Sequence, residues 1–386
     1  MHTSKPIYLD YQATTPTDSR VLDAMLPFFS EDFANPHSSH FMSYKPAAAI
    51  EQAKAHIAEL IGAFPEEIFF TSGATEANNQ AIASVLLSNQ SNKRKVLISS
   101  IEHKCVKEAA FFYANKLGFI VEEIPVDTAG RVDMGAYKKA LTEDVLLVSI
   151  MAVNNEIGTV QDIKILAKLA HGFDALFHCD AAQASVSINI DVFDFEVDLL
   201  SLSAHKMYGP KGIGALFITS SLQPNLTAFI HGGGQQSGLR AGTLPTPLCV
   251  GFGEAAKISR SEFETNHNKL LDLRAKFFKK LKELNINFVI NGAPHDRHPG
   301  NINIQLPSYD AESLLSSLQP YVCAATGSAC NSGFISSSYV LSAIGLSAKE
   351  AASSIRFSLG RTTTHKQINL ALNYLSQHLK IAQKLE

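Results

Sequence analysis

The chain has 386 residues, of which 46% are hydrophobic and 18% charged, and its formal net charge is −3 at pH 7. This composition supplies a large core, excludes a disordered chain, and argues against nucleic acid or a membrane surface as a direct partner. The apolar stretches are too short to span a bilayer and the first residues lack an apolar signal core, so we expect a soluble, cytoplasmic protein.

Short apolar runs alternate with helical patterns between residues 19 and 256. The runs predict strands at residues 67–71, 95–99, 121–124, 145–150, 175–178, 199–201 and 214–218, with helices between them, for example at 75–88, 104–117 and 163–170. Such alternation is typical of a mostly parallel sheet that is covered on both faces. Ligands of these sheets bind beyond the carboxyl ends of the strands, and Asn155, Asp180, Ser203 and Lys206 all follow apolar runs.

The pattern changes after about residue 257. It predicts a long amphipathic helix at residues 263–284, a strand at 301–306, a helix at 311–318, a loop rich in Gly, Ser and Cys, and a final helix from residue 365. We therefore expect a large domain over residues 16–257 and a smaller α+β domain formed by residues 1–15 and 258–386. The small domain includes a short N-terminal strand at residues 7–9 and the cysteine-bearing loop at about residues 323–338.

The five cysteines are odd in number and form no C-x-x-C pair. This argues against a disulfide framework and against a structural zinc site. Cys179 and Cys249 lie in apolar surroundings, where a thiol is usually an inert, buried hydrophobic group. Cys330 lies in a polar, glycine-rich loop, which instead predicts an exposed and reactive thiol.

Two successive apolar runs end in residues that suit one cofactor. The first ends in the carboxylate of Asp180, with Gln183 three residues later, and the second leads to Ser203, His205 and Lys206. A carboxylate can keep a pyridine nitrogen protonated and a lysine amine can form a Schiff base, which are the needs of pyridoxal phosphate. A solvated surface lysine fits poorly here, because the neighbours of Lys206 are mostly apolar, small or glycine.

Other segments leave two interpretations open. Residues 71–78 follow a strand and open a helix, so their amide groups could bind a phosphate or simply belong to a capped helix end. His103 could stack on a cofactor ring and move protons, or lie on the surface at a helix start. Asn155 could bind a phenolate or a substrate carboxylate, although its neighbours also predict a turn.

Two arginine-containing segments are similarly open. Residues 232–243 combine three glycines with Arg240 and Thr243, which suits a phosphate, a second subunit or a flexible loop. Arg356 is flanked by apolar residues, so its guanidinium is expected to be partly buried against either a substrate carboxylate or an internal acid. No nucleotide-binding glycine motif is present in the sequence.

Taken together, these segments resemble the pyridoxal-phosphate-dependent cysteine desulfurases, class V aminotransferases of the iron–sulfur-cluster type. The matching motifs are TSGATE, EHK, VNNEIG, D-A-x-Q, S-x-HK-x-YGPKG, GGG…R-x-GT, GSAC and S-x-RFSLGR, in this order over nearly the whole chain. The resemblance implies the fold type I, aminotransferase-like architecture, with a mostly parallel seven-stranded sheet in the large domain. It also implies a homodimer.

The resemblance also implies a role for each residue of the site. Lys206 would form the Schiff base, Asp180 would pair with the pyridine nitrogen, and Gln183 would contact the ring oxygen. The cofactor phosphate would be held by Ala74, Thr75, Ser203 and His205, with Thr243 contributed by the other subunit. His103 would stack on the ring and assist proton transfer. Asn155 would contact the cofactor and, with Arg356, the substrate carboxylate.

Cys330 would be the second catalytic centre. In the implied reaction its thiol takes sulfur from L-cysteine as a persulfide, leaving L-alanine, and passes the sulfur to acceptor proteins. Seven residues separate Cys330 from Ser338, which is similar to the long-loop branch of the family. No resident metal is implied, although Cys330 could transiently ligate a transferred iron–sulfur cluster.

The sequence departs from the family pattern near its cysteines. Ala325 and Thr326 stand where the family more often has serines, Asn331 replaces a common threonine, and Cys105 and Cys179 are additional thiols. These changes bear on the choice of partner more than on the reaction. Iron–sulfur assembly, tRNA thiolation, cofactor synthesis and sulfur modification of DNA all remain open as the acceptor pathway.

Two alternatives accompany this interpretation. One is a selenocysteine lyase or another class V enzyme that acts on a different amino acid. The other is a non-catalytic scaffold for sulfur transfer, since one fold can host several roles. A scaffold would be expected to lack the lysine or the loop cysteine, and this chain has both.

Overall fold

The computed structural model describes residues 5–327 and 338–382, so Cys330 lies outside the described residues. The strands within these ranges are β1 (Ile7–Tyr8), β2 (Ile68–Thr71), β3 (Lys95–Ser99), β4 (Ile120–Ile124), β5 (Val145–Ser149), β6 (Leu176–Asp180), β7 (Leu199–Ser203), β8 (Gly214–Ile218), β9 (Val289–Ile290), β10 (Asn301–Gln305), β11 (Val322–Cys323) and β12 (Ser354–Ser358). The helices are α1 (Ser19–Met25), α2 (Pro27–Ser30), α3 (Tyr44–Ile61), α4 (Ala74–Ser88), α5 (Lys104–Leu117), α6 (Met134–Ala140), α7 (Ile163–His171), α8 (Val192–Phe195), α9 (Thr246–Ser261), α10 (Phe263–Glu283), α11 (Ala311–Ser317), α12 (Tyr339–Ala343), α13 (Ala348–Ala352) and α14 (His365–Ala382).

The largest sheet of the described residues has seven strands in the order β2-β8-β7-β6-β5-β3-β4. Its strands are parallel except for β8, which is antiparallel to both neighbours. The predicted mostly parallel seven-stranded sheet is therefore confirmed. Alternate residues of the strands belong to two apolar cores, one on each face of the sheet. Phe177 and Cys179 pack on one face with α3, α7 and α9, and Leu147 and Leu199 pack on the other with α4 and α5.

Strands β6 and β7 each extend two residues beyond their predicted ends. Asp180 pairs with Ser201, and Ser203 pairs with Gly214, so the backbone hydrogen bonds between strands continue beyond the residues predicted as strands. Backbone hydrogen bonds do not depend on side-chain polarity, so a polar residue can complete a strand whose neighbours are in place. Asp180 and Ser203 consequently lie at the carboxyl ends of adjacent strands.

A separate apolar core lies in the C-terminal part of the chain. It combines α10 and α14 with the antiparallel sheet β12-β10-β9, and it includes Ile7 and Leu9 from the N-terminal segment. Strand β1 pairs in parallel with β11, which ties that segment to this region. These contacts support the proposed division into a domain of residues 16–257 and a domain of residues 1–15 and 258–386. None of the described helices is both long and apolar enough to cross a bilayer.

Candidate active site

A single cleft of about 650 Å³ brings together most of the residues singled out in the sequence. Those that line it are Ala74, Thr75, His103, Asn155, Asp180, Gln183, Ser203, His205, Lys206 and Arg356. It opens at the carboxyl ends of β6 and β7, the position expected for a ligand site of a parallel sheet. Thr243 is exposed and does not line this cleft in the described chain, and Cys330 lies outside the described residues.

Lys206 lies in a short 3₁₀ turn directly after β7. Its Nζ donates hydrogen bonds to the main-chain oxygens of Gln12, at 2.5 Å, and Ala13, at 2.8 Å. The oxygen of Gln12 also accepts from Nε2 of Gln183, at 3.0 Å. The N-terminal segment therefore positions two of the predicted site residues, a contribution that the sequence motifs did not reveal.

Asp180 is buried, with 4% of its surface exposed. One carboxylate oxygen accepts from the main-chain N–H of Ala182 at 2.9 Å, and the other accepts from Nδ2 of Asn78 at 2.8 Å. Asn78 is fully buried on α4 and was not predicted as a site residue. One sequence signal could have identified Asn78. It lies four residues after Ala74 in the segment of residues 71–78, and residues four apart share a helix face.

The start of α4 forms a cradle that suits a phosphate. The first amides of a helix have no acceptor within the helix, and the helix dipole favours an anion there. Gly73 precedes α4 with a φ of 155°, and Gly214 at the start of β8 packs against it. A Cβ on Gly214 would lie 2.6 Å from the carbonyl carbon of Gly73, so a side chain there would disrupt the cradle.

His205 borders this cradle as a neutral ring. Its Nδ1 lies 3.0 Å from the hydroxyl of Thr14. Burial lowers the pKa of His205 to about 4, and the positive charges of Lys206 and Lys211 act in the same direction. The ring can therefore hydrogen-bond an anion at neutral pH without carrying a charge of its own.

Arg356 on β12 lies at the side of the cleft and is 8% exposed. Its Nη2 pairs with Asp10 at 2.7 Å, and its Nη1 donates to the main-chain oxygen of Asn155 at 2.8 Å. An internal acid was one of the two partners predicted for Arg356, and this ion pair is therefore present. These two contacts use two of the five N–H donors of the guanidinium, and Arg356 also lines the cleft, so it can still receive a second anion there.

The described residues that precede Cys330 in the sequence begin at the border of this cleft. Ala325 lines the cleft, and its backbone exchanges hydrogen bonds of 3.1 and 2.8 Å with Arg356. Gly327 packs against the carboxylate of Glu156 so closely that there is no space for a Cβ. Cys330 follows three residues later in the sequence.

Comparison with known proteins identifies the family to which the chain belongs. Residues 7–370 match the aminotransferase class V family. The chain is 42% identical to the cysteine desulfurase IscS of Rickettsia akari, with 98% of this chain and 92% of that protein covered, and 43% identical to the mitochondrial cysteine desulfurase of Saccharomyces cerevisiae, with 99% and 76% covered. A solved structure of SspA in complex with cysteine has a TM-score of 0.83 and 38% identity, and covers 94% of this chain and 100% of that one. The chain therefore belongs to the aminotransferase class V family and, within it, to the cysteine desulfurases.

Proposed function

We propose that this protein uses pyridoxal phosphate to remove sulfur from L-cysteine, releasing L-alanine and holding the sulfur as a persulfide on Cys330 for an acceptor protein. The observation that carries the proposal is that Lys206, Asp180 and the start of α4 share one cleft. Its relatives in sequence are named cysteine desulfurases, and the similar SspA structure contains cysteine. The cytoplasmic location expected from the sequence is part of the same proposal.

The cleft fits pyridoxal phosphate in both size and donor set. Its volume of about 650 Å³ is in the range of small-molecule sites, and it offers an amine, a buried carboxylate and a helix start. When bound, the cofactor would supply an electron sink that weakens bonds at the substrate α-carbon. Lys206 would hold it covalently, Asp180 would pair with the ring nitrogen, and Gln183 with the ring oxygen. The phosphate would contact Ala74, Thr75, Ser203 and His205.

The chain's own groups would then bind the substrate and move its protons. The guanidinium of Arg356, oriented by Asp10, would receive the carboxylate of cysteine beside Asn155. A bidentate pair of this kind fixes orientation as well as position. Lys206 Nζ would move the proton at the α-carbon, and His103 would assist proton transfer above the ring. The thiolate of Cys330 would attack the substrate sulfur, so that the carbon–sulfur bond breaks and Cys330 carries one additional sulfur atom.

A comparison of cysteine with selenocysteine separates this proposal from its nearest alternative. We expect the purified, cofactor-loaded protein to form alanine from cysteine, and to require Cys330 for that reaction. Alanine formation from selenocysteine alone would identify a selenocysteine lyase instead. Failure to form alanine from either amino acid would favour the scaffold.

The proposed homodimer makes a prediction about Thr243, which is exposed and outside the cleft of a single chain. If Thr243 reaches the phosphate of the other subunit, Thr243→Ala should weaken cofactor binding roughly tenfold, the loss of one hydrogen bond to a charged group. Titration of the cofactor-free variant with pyridoxal phosphate measures this change.

Mixed dimers test whether the contact crosses between subunits. A dimer of one Lys206→Ala chain and one Thr243→Ala chain would have one site with both residues intact and one site with neither. We expect half of the sites to bind pyridoxal phosphate with wild-type affinity. If Thr243 acts within its own chain, no site would keep both residues, and no site would bind pyridoxal phosphate with wild-type affinity.

A further inference from the structure

Cys105, one of the thiols outside the family pattern, lies between two groups of the site. Its Sγ is 3.0 Å from Nδ1 of His103 and 3.1 Å from Nδ2 of Asn78. The same Asn78 nitrogen lies 2.8 Å from the carboxylate of Asp180. A continuous path of hydrogen bonds therefore joins Asp180 to His103 through an amide and a thiol.

The direction of each hydrogen bond in this path can be assigned. The NH₂ group of Asn78 donates one N–H to a carboxylate oxygen of Asp180 and the other N–H to the sulfur. Burial raises the pKa of Cys105 to about 12, so the sulfur keeps its proton and can donate it in turn.

The acceptor for that S–H is Nδ1 of His103. His103 caps the start of α5, where its Nδ1 accepts from the main-chain N–H of Cys105 at 3.2 Å. A main-chain N–H can only donate, so Nδ1 presents a lone pair to the helix start and to the thiol. The ring proton of neutral His103 must then be on Nε2.

We propose that Cys105 is a positioning residue that, linked through Asn78 to Asp180, holds His103 in the neutral form with its proton on Nε2. The proposal rests on the proposed function, in which His103 stacks on the cofactor and assists proton transfer. In this form His103 can give a proton from Nε2. It can take one up at Nδ1 only by losing its contacts with the amide and thiol of Cys105.

The surroundings of His103 determine its pKa and therefore how that pKa should change when Cys105 is replaced. Burial lowers the pKa of His103; Asp180 on β6 opposes this effect, and Lys206 after β7 and Lys104 on α5 reinforce it. A thiol that donates to Nδ1 also stabilises the neutral ring. Removing the S–H donor should therefore raise the pKa of His103, while a hydroxyl in its place should keep it low.

The test is a pH titration of the purified full-length protein labelled with ¹⁵N-histidine, followed by NMR. His103→Gln identifies the signal of His103. We expect the Nε2–H tautomer in the wild type and a pKa higher by on the order of half to one pH unit in Cys105→Ala. Cys105→Ser should return the wild-type value, which a loss of packing alone would not explain.

Two results would overturn the proposal: a proton on Nδ1 in the wild type, or the same His103 pKa in the wild type and Cys105→Ala. The titration needs no turnover, so it is independent of the proposed reaction. A protein that fails the titration but forms alanine from cysteine would retain its proposed function. A protein that shows the expected tautomer but forms no alanine would instead contradict the proposed function.

Discussion

Replacement of Lys206 by alanine should abolish both the visible absorbance of bound pyridoxal phosphate and the formation of alanine from cysteine. The amine of Lys206 lies in the cleft, where it can attach the cofactor covalently, and it is held there by the main-chain oxygens of Gln12 and Ala13. Loss of such a catalytic group costs a factor of roughly 10²–10⁴ or more in rate. Absorbance spectra and an alanine assay measure the two effects.

Two matched variants show whether the loss is specific. Lys206→Arg keeps the positive charge but cannot form the covalent link, so it should lose the absorbance and the activity as well. Lys164→Ala removes an exposed lysine that pairs with Asp194 on the surface, and should leave both unchanged. Full activity in Lys206→Ala would mean that the cofactor is attached elsewhere.

Replacement of Cys330 by serine should separate the two halves of the reaction. Cofactor binding depends on residues of the cleft, so the absorbance should remain. Turnover of cysteine should fall by roughly 10²–10⁴-fold, because a serine hydroxyl is a far weaker nucleophile toward sulfur than a thiolate. Alanine formation and mass spectrometry of the persulfide measure the loss.

Cys323→Ser is the matched control for this experiment. Cys323 on β11 is a free thiol seven residues earlier, and burial raises its pKa, which disfavours the nucleophilic thiolate. We expect this variant to react with cysteine as the wild type does. A persulfide that persists in Cys330→Ser but disappears in Cys323→Ser would transfer the proposed role to Cys323.

The sequence predicted those parts of the site that follow strands. Asp180 and Lys206 were identifiable because each follows an apolar run, and parallel strands bring their carboxyl ends to one edge. The contacts of Gln12 with Lys206 and of Asp10 with Arg356 were missed, because they join residues 194 and 346 positions apart. No periodicity within either segment carries information about such a distant partner.

The helices show the same limit. The amphipathic pattern predicted α10 to within one residue of its end at Glu283. It gave no prediction for α9, in which Gly251 and Gly253 weaken the helical propensity. A Cβ on Gly253 would lie 2.5 Å from the Cα of Ala53, so the glycine serves the close packing of α9 on α3. Tertiary contact, which local propensity does not report, accounts for this helix.

The most direct test of the proposed function is a single turnover of the purified, cofactor-loaded protein with one equivalent of L-cysteine in the absence of reductant. Alanine and protein-bound persulfide are measured in the same sample, the latter by mass spectrometry of the peptide that contains Cys330. The proposed function predicts equal amounts of alanine and of a Cys330 peptide heavier by one sulfur atom. Alanine without any added sulfur on Cys330, or no alanine at all, would contradict it.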